Sequence, residues 1–418
     1  MNILLVAYYF PPIVSGGSQR PVRMFNHLTQ LGNRVTVLTP TYEKTHPPEE
    51  NVIRVHDPSH NMNRRGIHRL QWLFQRIPIE IANYLGNSLS IYSRWQQNVL
   101  RQADDILRQA QPELIIATYP PVEVLQIGLL LSQKAQVPLV ADFRDGLLFE
   151  PIESKRLYRF PCLQQQYRDI EKSIAAQAAS IVTISPALSD YFTHTYKRNH
   201  ITTIPNGFDE NDPLDTSTKI NFEAHVLHIV HTGKIGLSDP TSALQPFIAA
   251  VEQMLNANPA LAKKLHLHFV GQLSVKEIKT VSYLKKKGIA SIYGQRQRAF
   301  SLAMQRKADL LLLITPAARP SIAPGKLFEY LAAQKPILAL TDRTFTAEII
   351  EKTNSGWILP ALDSQAIGAT LEKIIGDPKF LAARTCKAED IQIYSAARQM
   401  NQLNAVLQQL HSAKNTHP

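Results

Sequence analysis

Cysteine is scarce in this sequence, and its placement excludes two classes of protein. The 418 residues include two cysteines, Cys162 and Cys386, which lie far apart and match no metal-ligand spacing. A disulfide framework and a zinc finger are therefore excluded. The sequence predicts free thiols in a reducing compartment.

Long apolar segments are also missing. No run of about 18 apolar residues occurs, so no membrane-spanning helix is predicted. The N-terminal sequence MNILLVAYYFPP lacks the basic region and the small-residue cleavage site of a secretory signal. We therefore expect a cytoplasmic protein.

Acidic residues are outnumbered, and the formal net charge of +11 indicates an anionic partner. Nucleic acid, an anionic membrane and a nucleotide-bearing substrate all carry the required charge. The sequence contains no zinc-finger spacing, no RNA-binding aromatic signature and no dense basic tail, so we do not expect nucleic acid.

Residues 64–85 show two stripes at helical spacing, one apolar and one basic. An arginine-tryptophan face suits a lipid-linked acceptor or the inner face of an anionic membrane, where the protein would bind peripherally. The alternative is a helix that packs on its own domain and leaves the basic face in water. The basic stripe consists of Arg65, Arg69, Trp72 and Arg76.

Apolar strand-like runs alternate with helical segments along the chain, which predicts α/β architecture with parallel sheets. The length favours two domains, and a polar segment without periodicity at 208–224 predicts a linker. We expect two Rossmann-like, doubly wound domains at 1–207 and 225–385, with a helical tail at 386–418. Ligands should bind at the carboxyl ends of the strands, in an interdomain cleft. No G-x-G-x-x-G turn follows either opening strand, which argues against a nicotinamide-dependent enzyme.

The segment SIAPGKLFEYLAAQKPILAL, residues 321–340, predicts an anion site on a short helix. Pro324 and Gly325 begin the helix, and Lys326 adds an ammonium to the free N–H groups of its first turn. Glu329 lies one turn further on the same face, where a carboxylate can accept hydrogen bonds from a vicinal diol such as a ribose. The alternative is an ordinary connection with both side chains in water.

Further polar candidates follow other predicted strands. Asp142, Arg144 and Asp145 come at the end of the strand LVADF. A carboxylate held by an arginine stays ionised and could orient or deprotonate an attacking hydroxyl. The alternative is a structural Asp–Arg pair. Gly16 and Gly17 lie between the first strand and helix, where glycine lets the backbone approach a ligand.

The order and content of these motifs resemble glycosyltransferases of the GT-B fold, in particular the large retaining family 4. The resemblance covers nearly the whole chain. It implies that Gly16 and Gly17 meet substrate, and that Glu329 holds the ribose of a nucleotide-sugar donor. Further donor-binding residues that it implies, near the diphosphate, are Gly233, Lys234, Gly271, Gly325, Lys326 and Leu327.

Two positions depart from the family's pattern. Ser321 stands where the first glutamate of the two-glutamate motif is expected, and Thr118 and Tyr119 stand where many relatives carry a histidine. The metal-binding tripeptide Asp-x-Asp does not occur, so Lys234 and Lys326 would stabilise the leaving diphosphate without a metal or other cofactor.

We therefore expect a metal-independent, retaining glycosyltransferase that acts on a carbohydrate or a lipid-linked acceptor. Synthesis of a bacterial surface polysaccharide or glycolipid is the expected context. The alternatives are a nucleotide-sugar epimerase of the GT-B fold and a non-catalytic relative that binds glycans or membranes.

Overall fold

The computed structural model confirms the predicted fold class, with two parallel sheets flanked by helices. It describes residues 1–13, 16–41, 49–58, 79, 81–82, 90–151, 157, 159–210, 212, 220–235, 244–315 and 319–416. The chain divides into a first unit, Met1–Pro205 with Gln399–Pro418, and a second unit, Asn206–Arg398. Among the residues just given, no helix is both long and apolar enough to cross a bilayer.

The first unit contains a seven-stranded parallel sheet in the order β3-β2-β1-β4-β5-β6-β7. Its central strands are buried along their length, because helices cover both faces of a doubly wound sheet. The strands are β1 (Asn2–Val6), β2 (Arg34–Thr41), β3 (Val52–His56), β4 (Leu114–Tyr119), β5 (Leu139–Phe143), β6 (Ser180–Thr183) and β7 (Ile201–Thr203).

Six helices of this unit follow the apolar periodicity of the sequence. The sequence predicted a single helix over 90–110, but the structure has two, because Gln102 leaves helical geometry with φ −103° and ψ 12°. The helices are α1 (Gln19–Gln30), α2 (Ser93–Arg101), α3 (Ala103–Ala110), α4 (Val122–Ala135), α5 (Pro161–Gln177) and α6 (Pro186–Tyr196).

The second unit contains a six-stranded parallel sheet in the order β10-β9-β8-β11-β12-β13. The strands are β8 (Leu227–Thr232), β9 (Leu265–Val270), β10 (Ala290–Gly294), β11 (Leu310–Ile314), β12 (Ile337–Leu340) and β13 (Gly356–Leu359). The helices are α7 (Leu244–Ala257), α8 (Val275–Lys286), α9 (Arg298–Lys307), α10 (Gly325–Ala333), α11 (Phe345–Lys352), α12 (Ser364–Gly376), α13 (Pro378–Ala382), α14 (Ala388–Ile391) and α15 (Ala396–Thr416), the last of which continues into the first unit.

The ends of the second unit are anchored by backbone hydrogen bonds. Phe208 is buried and its N–H donates to the Tyr394 carbonyl at 3.1 Å. Residues 386–398, which the sequence analysis assigned to the tail, cluster with the second unit. In the remainder of α15, Met400 and Leu403 pack in the same core cluster as Leu5 of β1. The final helix is thereby part of the hydrophobic core of the first unit.

A chain of hydrogen bonds connects buried histidines on one face of the second sheet. His228 donates from Nε2 to the Glu223 carbonyl, at 3.1 Å, so its neutral Nδ1 accepts from His268 Nε2 at 2.9 Å. His268 Nδ1 then accepts from the Tyr293 hydroxyl at 2.9 Å. Phe222 stacks on His228 with ring centroids 4.2 Å apart. In this arrangement both nitrogens of His228 and of His268 are hydrogen-bonded.

Acidification should destabilise the protein through His268. Burial, with the neighbouring His266 and His228, lowers its pKa to about 3, so the unfolded chain takes up a proton that the folded protein refuses. Stability is therefore complete above the ordinary histidine pKa and is lost as the pH falls below it. From pH 7.5 to pH 5 we expect a loss of about 2 kcal/mol, measured by urea unfolding.

The variant His268→Gln cannot take up this proton and should lose correspondingly less stability over the same pH interval. The exposed His194, on α6, supplies the control variant His194→Gln. Equal pH dependence in His268→Gln and the wild type would contradict the assignment.

Candidate active site

The lysine of the predicted anion site lies against the end of β8. Helix α10 begins directly after Pro324, and Gly325 is exposed at its first turn. The Lys326 ammonium donates from Nζ to the Lys234 carbonyl at 3.0 Å. Loss of hydration lowers the pKa of Lys326 to about 8. The ammonium is therefore charged at neutral pH and loses its proton as the pH rises through about 8.

Two glycines allow this approach. Gly233 has φ +84°, and a Cβ added to it would lie 3.4 Å from Lys326 Nζ. Gly271 has φ +144°, and its added Cβ would lie 2.4 Å from the Gly233 carbonyl oxygen. Side chains are therefore excluded at Gly271 and strained at both positions. The structure brings Gly233, Lys234, Gly271 and Lys326 together at the carboxyl ends of β8 and β9 and the start of α10.

Two side chains of α9 hold Glu329, the carboxylate of the predicted anion site. Glu329 Oε1 accepts from Arg298 Nη1, and Oε2 accepts from Gln305 Nε2 at 2.9 Å. Arg298 also pairs with Asp212, and Gln305 Nε2 also bonds the Thr232 hydroxyl at 2.9 Å. The carboxylate is therefore fixed in orientation by two partners that sequence reasoning missed.

Glu329 can accept more hydrogen bonds than the two from α9. Each carboxylate oxygen offers about two lone-pair sites, and α9 occupies one site on each oxygen. Counted over the described residues, one acceptor position per oxygen remains, which matches two adjacent hydroxyl groups. The Glu329 side chain is 12% exposed, so the carboxylate reaches the surface.

Strand β8 contributes a neutral histidine that the sequence analysis also missed. His231 Nδ1 donates to the Leu312 carbonyl at 2.9 Å, which leaves the Nε2 lone pair as an acceptor. Nε2 is buried and has no hydrogen-bond partner in the part of the chain that the structure describes. Burial and the nearby Lys326 cation hold the pKa of His231 well below its usual value. The signal was a second histidine, three residues after His228, in the buried strand LHIVHT.

The structure corrects the role predicted for Asp142. Its side chain is fully buried, and both oxygens accept from Arg20, with Arg20 Nη2 at 2.7 Å from Oδ1. Oδ2 also accepts from the Thr118 hydroxyl at 2.6 Å. A carboxylate so enclosed cannot orient or deprotonate an acceptor hydroxyl. Asp142 forms a structural ion pair with Arg20 rather than with the neighbouring Arg144.

Arg144 is likewise a buried structural residue, so its prediction as an acceptor or membrane contact is wrong. Its guanidinium donates to backbone carbonyls, from Nε to Tyr119 at 3.0 Å, from Nη2 to Pro120 at 3.4 Å, and from Nη1 to Gly17. Burial lowers its pKa, although Asp145 and Asp142 oppose the shift. Arg144 thus ties the glycine loop to the segment after β4.

The remaining predicted residues differ in how far they are buried. Asp145 is half-buried, and Gly16 is exposed in the turn before α1. Leu327 is a correction, since its side chain is fully buried in the core and its N–H donates to the Pro324 carbonyl at 2.9 Å. It therefore cannot contact a donor. Arg65, Arg69, Trp72 and Arg76 lie outside the described residues.

Residues 15–207 match the family model described as a glycosyl transferase 4-like domain. No curated protein matches the chain significantly.

Solved structures show that the whole chain has the GT-B fold. Sucrose-phosphate synthase of Thermosynechococcus elongatus superposes with a TM-score of 0.68 at 14% identity, over 98% of this chain and 99% of that one. HepE of Anabaena, in complex with UDP and glucose, superposes with a TM-score of 0.62 at 16% identity, over 98% of this chain and 99% of that one. WaaG, a glycosyltransferase involved in lipopolysaccharide biosynthesis, superposes with a TM-score of 0.62 at 15% identity, over 97% of this chain and 99% of that one.

Removal of the Asp142 carboxylate should destabilise the first unit. The variant Asp142→Ala leaves the Arg20 guanidinium buried without its counter-charge, and we expect a loss of about 3–5 kcal/mol in urea unfolding. The exposed pair of Arg108 and Asp105 in the same unit provides the control, and Asp105→Ala should cost less than about 1 kcal/mol. Similar losses in both variants would contradict the structural role of Asp142.

Proposed function

We propose that this protein transfers a sugar from a nucleoside-diphosphate sugar to an acceptor hydroxyl, with retention of the anomeric configuration and without a metal ion. The observation that carries the proposal is the position of Lys326 and Glu329 on one helix. The first lies at the helix N-terminus against Gly233, and the second is held by Arg298 with acceptor positions still open.

The positively charged groups of this site would stabilise the leaving diphosphate. Lys326, the exposed Lys234 side chain and the N–H groups at the start of α10 provide positive charge where negative charge develops. Since these groups supply charge stabilisation and Asp-x-Asp is missing from the sequence, we infer that no metal is needed. Retention is inferred from the family 4 resemblance.

The Glu329 carboxylate would hold the ribose by accepting hydrogen bonds from the two ribose hydroxyl groups. We propose uridine diphosphate as the nucleotide, because the HepE structure of the same fold contains UDP. An acceptor in surface polysaccharide or glycolipid synthesis is supported by the similarity to WaaG. We further propose a cytoplasmic location with peripheral binding to the inner membrane face, based on the basic stripe within 64–85.

Affinity for UDP should fall as the Lys326 ammonium loses its proton. With a pKa of about 8, the charged fraction falls about fourfold between pH 7.0 and pH 8.5, and the affinity measured by calorimetry should follow. The variant Lys326→Arg keeps its charge and should bind equally at both values. The exposed Lys352 gives the control variant Lys352→Ala, which should behave as the wild type.

Substitution of Lys326 by alanine should also lower sugar transfer, by on the order of a hundredfold, because one charge-assisted donor to the transition state is lost. Turnover within a few fold of the wild type would refute the assignment of Lys326.

The ribose assignment of Glu329 predicts discrimination between UDP and 2′,3′-dideoxy-UDP. A hydrogen bond to a charged group contributes about 1.5–3 kcal/mol, so the wild type should prefer UDP by roughly tenfold or more. Glu329→Gln should weaken UDP binding and leave dideoxy-UDP binding unchanged. If Glu329→Gln weakens the binding of both ligands equally, Glu329 stabilises the fold and does not contact the ribose.

The reaction class is tested by product analysis with a panel of UDP-sugars and oligosaccharide acceptors. Release of UDP with a new glycosidic bond is expected. An epimerised UDP-sugar formed without an acceptor would instead establish an epimerase, and no turnover together with no UDP binding at millimolar concentration would overturn both activities.

A further inference from the structure

Helix α8 of the second unit exposes apolar side chains to water. Val275 is 86% exposed, Ile278 45% and Tyr283 46%. These are three of the eight large hydrophobic residues that are exposed in the part of the chain that the structure describes, so they form a local concentration. Val281 and Leu284 lie on the opposite side of the helix and pack in the core of the second unit. The outer face of α8 therefore carries apolar groups that this unit does not bury.

The same outer face carries lysines. At about 3.6 residues per turn, Lys279 and Lys286 lie in line with Val275 along the middle of this face. Ile278 and Tyr283 flank the line, one on each side. Both lysines are exposed. The face thus combines ammonium groups with apolar side chains, as do helices that lie at a membrane surface.

The region around α8 holds much of the positive charge of the protein. Residues 258–294 contain seven lysines and a single acidic residue, Glu277, and so account for more than half of the net charge of +11. The Glu277 carboxylate accepts from the Ser274 N–H at 2.6 Å, which places it at the N-terminus of its own helix. The rest of α8 therefore presents positive charge only.

The cationic surface continues past the end of α8 to the amino edge of the sheet. Strands β9 and β10 pair in parallel, with Leu267 opposite Ala290. Lys264 and Lys287 each precede this pair by three residues, so the chain brings them to neighbouring positions at that edge. The exposed lysines of this cluster are Lys263, Lys264, Lys285, Lys286 and Lys287.

We propose that the α8 face, formed by Val275, Ile278, Lys279, Tyr283, Lys285 and Lys286, binds the surface of an anionic lipid bilayer. Anionic headgroups attract the ammonium groups, and each lysine near such a surface raises the affinity about fivefold. The apolar side chains enter the boundary between headgroups and acyl chains. The inference extends the proposed peripheral location, which was based on the stripe within 64–85, and it holds whether or not the protein transfers sugar.

The exposed apolar groups favour a bilayer over nucleic acid. A phosphate backbone would attract the lysines, but it offers no apolar contact to Val275 and Ile278. A stacked base needs an open aromatic face, and one face of Tyr283 is covered by the Lys287 ammonium, 5.7 Å from the ring centre. A bilayer supplies both negative charge and an apolar phase, so it fits the whole α8 face.

The test is sedimentation of the full chain with lipid vesicles. Vesicles of phosphatidylcholine with about 30% phosphatidylglycerol should bind the protein at least roughly tenfold more tightly than vesicles of phosphatidylcholine alone, and added salt should weaken this binding. Equal affinity for both vesicles, or no binding to either, would overturn the proposal. A short single-stranded DNA at equal phosphate concentration should leave the protein on the vesicles. Displacement by this DNA would indicate a nucleic-acid surface and would also overturn the proposal.

Two paired variants separate the charge of the α8 face from its apolar contact. Lys285→Gln with Lys286→Gln removes two charges and should weaken binding to the anionic vesicles roughly twentyfold. Val275→Ser with Ile278→Ser keeps the charge and should weaken the binding at least about fivefold, because the apolar contact is lost.

A control pair removes the same charge from the opposite face of the sheet. Lys307 and Lys352 are exposed at the ends of α9 and α11. These helices pack on the other face from α8, in a separate core cluster. Lys307→Gln with Lys352→Gln should therefore bind the vesicles like the wild type. Equal losses in the two lysine pairs, or unchanged binding in Val275→Ser with Ile278→Ser, would refute a contact through α8.

UDP titrations of the same variants keep this inference distinct from the proposed function. The substituted residues of α8 are not among those assigned to the donor, so the affinity for UDP should stay unchanged. Vesicle binding that depends on α8, without any UDP binding, would retain the membrane surface and reject the transferase. UDP binding and sugar transfer, with vesicle binding unchanged in both α8 variants, would retain the transferase and reject the membrane surface.

Discussion

The contact between the Lys326 ammonium and the end of β8 is the interaction on which the proposed donor site, with Lys326 and Glu329, depends. It places a cation 3.0 Å from the Lys234 carbonyl, next to Gly233, whose φ of +84° is strained for any residue with a side chain. Burial of the Lys326 ammonium lowers its pKa to about 8. Glu329 follows one turn later, so the position of the carboxylate is set by the same helix.

Periodicity explains which parts of this site were readable from the sequence. An N-terminal lysine followed three residues later by a glutamate places both on one helical face, and this needs no tertiary information. The same period would have placed Leu327 with Leu331 on the buried stripe, so its donor assignment conflicted with the pattern itself. Arg298 and Gln305 could not be inferred, because they lie 31 and 24 residues from Glu329 and meet it only through packing of α9 on α10.

The ion pair of the first unit shows a different limit. In the sequence, Arg144 is the arginine next to Asp142 and was the one expected to hold a carboxylate. Strand β5 ends at Phe143, however, and Arg144 instead donates to backbone carbonyls. The partner of Asp142 is Arg20 of α1, which is 122 residues away in the sequence. Fold class and strand order depend on local patterns, whereas such pairings depend on the final packing.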